Sequence, residues 1–95
     1  MAAYVIANVD VKDPVGYEEY KKLAPPSIAQ YGGRYIARGG AVQVLQGGWN
    51  PHRLVILEFP DAATARTWWD CPEYAAAKAL RQATSTGEFV IVEGL

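Results

Sequence analysis

Apolar positions change their spacing in a regular order along this chain, and the order predicts the elements. From Ala3 to Val11 they alternate, with Val5, Ala7 and Val9 on one face and Tyr4, Ile6, Asn8 and Asp10 on the other, the period of a strand. The second row begins apolar and ends polar. After Asp13-Pro14, a capping side chain followed by a residue preset for the first helical turn, the spacing lengthens to three and four. Tyr17, Tyr20, Ala24, Ile28 and Tyr31 then form one helical stripe. Pro25-Pro26 interrupts that stripe and predicts a kink or break at Ala24, with Pro26 restarting a short segment that Gly32-Gly33 closes.

Two β-rich runs follow, Arg34 to Gln46 and Arg53 to Phe59, joined through Gly47-Gly48 and Asn50-Pro51, which reads as one long antiparallel hairpin. Gly39-Gly40 inside the first arm marks a bulge or a point where another group approaches the backbone closely. The second arm is apolar throughout except for Glu58, as expected of a strand covered on both faces. Asp61 caps a helix whose apolar stripe is Ala62, Ala65 and Trp69, with Trp68 beside it. Asp70-Cys71-Pro72-Glu73 reads as a fresh start capped by Asp70, and the short helix it opens carries Tyr74, Ala77 and Leu80 as far as Arg81. Thr84 to Gly87 reads as a loop, and Glu88 to Glu93 as the last strand.

The order is therefore βαββαβ: an α+β, ferredoxin-like arrangement with a four-stranded antiparallel sheet and its helices on one face. Such helices cover one face only, yet Tyr4, Ile6, Ile56, Ile91 and Val92 make the strands apolar on both. An uncovered apolar face is unusual in a soluble monomer, so a second copy packed face to face, a homodimer, is expected.

Composition narrows the partners. Ninety-five residues make a single domain, 1–95, and nine Lys+Arg against ten Asp+Glu supply no basic field for nucleic acid or an anionic membrane. No run is apolar and long enough for a bilayer, no signal-peptide pattern is present, and the single cysteine, Cys71, suits a reducing compartment; the expected location is cytoplasmic. His52 is the only histidine and sits on the hairpin connection, so no metal cluster can be assembled around it. The glycine pairs lack the strand-turn-helix context of a phosphate loop, and no Ser-His-Asp grouping occurs, so no cofactor is expected.

The residues that remain suggest a small charged pocket. If hairpin pairing keeps Arg38 and Glu58 on one face, they meet near the polar end of the first strand at Asn8 and Asp10, between sheet and helices. Arg38 would hold the anion of a small organic acid, and Asp10 or Glu58 would accept a proton if its surroundings raised its pKa. Asn8, the Tyr20 hydroxyl and a stacking Trp69 would complete the ligand set. The alternatives are a structural ion pair that only fixes register, and tryptophans that serve as core.

The runs Tyr4–Asp10, Asp13-Pro14, Ala24-Pro25-Pro26, Tyr31–Gly40, Glu58-Phe59-Pro60, Pro72-Glu73-Tyr74 and Ala79-Leu80-Arg81 resemble the family catalogued as domain of unknown function 1330, in the dimeric α/β-barrel superfamily. The resemblance spans nearly the whole chain and implies the fold and the dimer. Relatives in that superfamily include cofactor-free monooxygenases, lactone isomerases, haem-dependent enzymes and stress-responsive proteins, so it implies no single chemistry. Three readings stand: a small-acid binder, a cofactor-independent monooxygenase or isomerase-like enzyme, and a structural or stress-related dimer.

Overall fold

Strand alternation from Ala3 to Val11 makes β1, whose odd-numbered row from Ala3 to Val9 is buried and whose even-numbered row is half-exposed. The computed structural model describes residues 1–95 and adds α1 (Pro14–Gln30), β2 (Arg34–Arg38), β3 (Leu54–Phe59), α2 (Ala62–Trp69), α3 (Pro72–Thr84) and β4 (Ser85–Glu93). The strands form one antiparallel sheet in the order β2-β3-β1-β4, which places β1 and β3 at its centre. This is the expected ferredoxin-like α+β fold, with the second helical region divided into α2 and α3 where Asp70-Cys71-Pro72 predicts a fresh helix start.

The buried row of β1 faces the helices. Its partners Leu57 and Phe59 on β3 and Phe89 on β4 share that side, where Trp68 from α2 and Tyr74 from α3 fill the core. Trp68 stacks 4.2 Å from Tyr74 and 5.3 Å from Phe59, and its Nε1 donates to the buried Ser27 Oγ at 3.1 Å. Trp68, not Trp69, therefore belongs to the buried stripe of α2; Trp69 is half-buried at its margin.

Five local expectations are corrected. The helix runs through Pro25-Pro26 without a break, and one of the two carbonyls that these prolines leave without an intrahelical donor finds one elsewhere. That carbonyl is Lys21 O, and Arg38 Nη2 donates to it at 2.9 Å. The first hairpin arm ends at Arg38, not Gln46, since residues 39–53 are irregular and 39–50 lie exposed. α3 is capped at Cys71, with no side-chain bond from Asp70, and it reaches Thr84. No loop follows it: β4 begins at Ser85 and pairs with β1 along its whole length.

On the far side of the sheet Tyr4, Ile6, Leu54, Ile56, Val90 and Val92 form an apolar face that no helix covers. Val90 and Val92 are 58% and 46% exposed. No helix is long and apolar enough to cross a membrane.

Candidate functional site

A β-bulge decides where the charged residues go. β2 pairs Arg34 with Glu58 and Tyr35 with Leu57, but then Ala37 with Ile56 and Arg38 with Val55, one residue out of step. Without the irregularity Arg38 would share the face of Arg34; with it, Arg38 turns to the helix side. Glu58 stays on the open face, where Arg34 Nε donates to its Oε1 at 2.8 Å. Arg38 and Glu58 are thus on opposite faces, and the pairing expected from the sequence does not form.

Asn8 and Asp10 also lie on the open face, at its polar end, with Thr86 and Glu88 across from them. Asn8 Oδ1 accepts from the His52 backbone N–H at 3.0 Å, and Asp10 takes a 2.6 Å bond from Lys12 with His52 Nε2 3.9 Å away. The Lys12 bond holds the Asp10 carboxyl below the usual carboxylate range; desolvation opposes it and the His52 charge assists it. Asp10 is consequently a settled anion, not the raised-pKa group that proton abstraction needs. His52 is an exposed loop residue, and no cluster of His, Cys, Asp and Glu could hold a metal ion.

On the helix side the chain encloses a narrow cleft beneath α1, floored by Val5, Ala7, Val9, Val55 and Leu57 and walled by Tyr17, Tyr20, Tyr35 and Phe89. Lys21, Arg38 and Arg53 are its charged lining, and no carboxylate is among the residues around it. The centre of a water molecule can range over about 20 Å³ inside, room for one or two waters. At the cleft edge Arg38 lies 4.4 Å above the Tyr35 ring and ties β2 to α1 through the Lys21 carbonyl. Arg53, just before β3, sits 5.7 Å from the Tyr17 ring centroid, and its Nε is enclosed without an acceptor.

The hydroxyls in the wall stay protonated. Burial raises the Tyr20 ionisation well above the ordinary phenol range, and the Tyr74 hydroxyl 3.0 Å away raises it further. Burial likewise raises Tyr17 and Tyr35, against the opposing charges of Arg53 and Arg38 respectively. Arg81, 4% exposed, donates from Nε to Tyr74 Oη at 3.4 Å and stacks 4.2 Å from the Phe89 centroid. Chemically the cleft is a set of cations and neutral donors in an apolar wall, suited to holding an anion or an enolate oxygen and lacking a base of its own.

Of the residues singled out in the sequence, Tyr20 and Arg38 line the cleft. Trp69 lies next to it, packed against Phe89 at 5.2 Å and facing an outer hollow shared with Arg66 and Ile91. Asn8, Asp10 and Glu58 are on the other face. Sequence reasoning missed Arg53, Arg81, Tyr35 and Lys21. Two signals were present: Arg53 continues the inward row of Val55, Leu57 and Phe59, and Arg81 continues the buried stripe of Tyr74 and Ala77. A cation in line with a core row is the pattern that finds them.

Solved structures similar to this chain share its fold. A protein of unknown function from Rhodopseudomonas palustris is 20% identical with a TM-score of 0.79, covering 99% of this chain and 82% of its own. A dimeric ferredoxin-like protein of unknown function from Jannaschia sp. CCS1 is 12% identical with a TM-score of 0.71, over 99% of this chain and 100% of its own. SnoaB, a cofactor-independent oxygenase from Streptomyces nogalater, is 13% identical with a TM-score of 0.59, over 99% and 93%. No curated protein matches the sequence. A family model matches residues 2–95, and the chain belongs to the family described as domain of unknown function (DUF1330).

Proposed function

We propose that this protein is a homodimer, paired through its open sheet faces, in which each subunit holds a small organic acid in the cleft beneath α1. The observation that carries the ligand reading is a cleft with Arg38 and Arg53 in its lining and no carboxylate to neutralise them. Arg38 meets the anion at the cleft edge, and the Tyr20 hydroxyl faces the bound molecule. The dimer is supported by the uncovered row of Ile6, Ile56, Val90 and Val92, and by the dimeric description of the Jannaschia protein.

Thermal shift with a panel of small organic acids tests the ligand, comparing wild type with Arg38→Ala. At least one acid is expected to stabilise wild type more than the variant; if none does, the cleft is not an acid site and a structural dimer is the better description. A catalytic reading, an oxygenase or isomerase-like reaction with Arg38 and either Asp10 or Glu58, has the fold of the Streptomyces nogalater oxygenase in its favour. It requires the two carboxylates to reach a cleft they face away from. Asp10→Asn and Glu58→Gln variants that turn over a bound acid at the wild-type rate would remove the two carboxylates from the reaction, and an acid bound by the wild type without turnover would remove the catalytic reading itself.

A further inference from the structure

Eight of the ten acidic side chains have a local partner. Asp10, Glu18, Glu19, Glu58 and Asp70 form ion pairs, Asp13 and Asp61 cap helices, and Glu73 accepts from Tyr31. Six of the nine Lys and Arg are used in those pairs, and the three left over are Arg38, Arg53 and Arg81. All three lie on the helix side of the sheet, around the rings of Tyr17, Tyr35 and Phe89. A cation withdrawn from water needs an anion or acceptors. Arg53 has one donor wholly unmet: its Nε is closed off from solvent and donates to nothing. Gly39, at φ +68°, gives its guanidinium room, since a Cβ there would overlap Arg53 Nη1.

We infer that Arg53 is the anchor for a carboxylate and that the cleft takes a compact monoanionic acid with a flat apolar body, of about benzoate's size. This rests on reading the cleft as a small-acid site. The planar guanidinium fork matches a carboxylate edge-on, with Nε supplying one of two parallel bonds. Apart from Arg38 at the edge and Lys21, whose charge is met by Glu18, the wall is apolar or aromatic, which favours a single charge and a ring that can lie along Tyr17, Tyr35 or Phe89. The cleft at rest is too narrow for a ring, so entry requires Arg38, exposed and held to the helix by one hydrogen bond, to leave the Lys21 carbonyl.

The test titrates ¹⁵N-labelled protein with benzoate and with its neutral isostere benzamide, following the arginine Nε–H resonances, with Arg53 assigned through Arg53→Lys. Benzoate is expected to move the Arg53 resonance and benzamide to leave it in place. Arg53→Lys and Arg53→Met are expected to weaken benzoate by about tenfold or more, while Lys22→Met, which removes a distant exposed charge, leaves it within about twofold. Equal responses to benzamide and benzoate overturn the inference, as does benzoate binding to Arg53→Met with wild-type affinity. In that last case the small-acid reading survives and only the anchor is lost. Absence of any benzoate response overturns the inference too, while the small-acid reading is decided separately by the acid panel with Arg38→Ala.

Discussion

Tyr20 puts a hydroxyl where ionisation is costly, and that has a consequence for stability against pH. The folded chain holds the Tyr20 proton more tightly than the unfolded chain, whose phenol ionises near its ordinary 10.0. The associated stability is therefore complete below about pH 10 and is lost as pH rises toward the folded-state value. Tyr17 and Tyr35 act in the same direction. Tyr20→Phe is expected to cost roughly 1 kcal/mol at neutral pH through the lost bond to Tyr74. It should also flatten the alkaline decline, measured as urea midpoints at neutral and alkaline pH; parallel curves for the two proteins would contradict the assignment. Trp68 sets the other residue-scale expectation. It is 1% exposed, and Trp68→Ala should lower unfolding free energy by roughly 3–5 kcal/mol, enough to unfold a marginal domain of this size. The stripe around Trp68 was visible as spacing, whereas which of two adjacent tryptophans turned inward was not, because α2 is barely two turns long and either residue lies near its buried edge.

At the scale of elements, Pro25 and Arg38 form one device. Proline at position 25 cannot donate to Lys21 O, and the guanidinium of an adjacent edge strand does so instead. Pro25→Ala restores the intrahelical donor and is expected to raise stability by roughly 1–3 kcal/mol. It should also reduce the cost of Arg38→Ala, so a double-mutant cycle on denaturation midpoints should show coupling between positions 25 and 38. Additive effects would mean that the bond contributes nothing. The prolines were legible as a disturbance in the helix, and the predicted break followed from considering that helix alone. The compensating donor comes from a residue 13 positions beyond Pro25, across a glycine turn, where local spacing carries no information. The same applies to the first hairpin arm. Its alternation continues past Arg38, but Gly39 at positive φ diverts the chain and leaves Val42, Val44 and Leu45 exposed.

The whole molecule carries an imbalance between its two sheet faces. Three helices shield one, and the other presents Ile6, Ile56, Val90 and Val92 across β1, β3 and β4. If that face is the seam of the proposed dimer, Val90→Glu buries an unpaired charge within it and should convert two-subunit protein to folded monomers at micromolar concentration in sedimentation velocity. Ala75→Glu, on the exposed side of α3, should leave the assembly unchanged. A wild-type protein that sediments as one subunit under those conditions removes the dimer and leaves the cleft to be tested by itself.

Strand and helix identities, the capping of α1 and α2, and the apolarity of both sheet faces follow from periodicity and end signals, because each depends on neighbours within a few residues. The address of the charged residues does not. A single extra residue in β2 sends Arg38 to the helix side and leaves Glu58 with Arg34 on the other. Register between strands is set by the competition of whole pairings, so the pocket imagined around Asn8, Asp10, Arg38 and Glu58 separates into two places. Only the folded chain brings Arg53, from the end of the irregular 39–53 connection, beside Tyr17 of α1 and Arg81, from the last helix, beside Tyr74 and Phe89, on the side of the sheet where the proposed site lies.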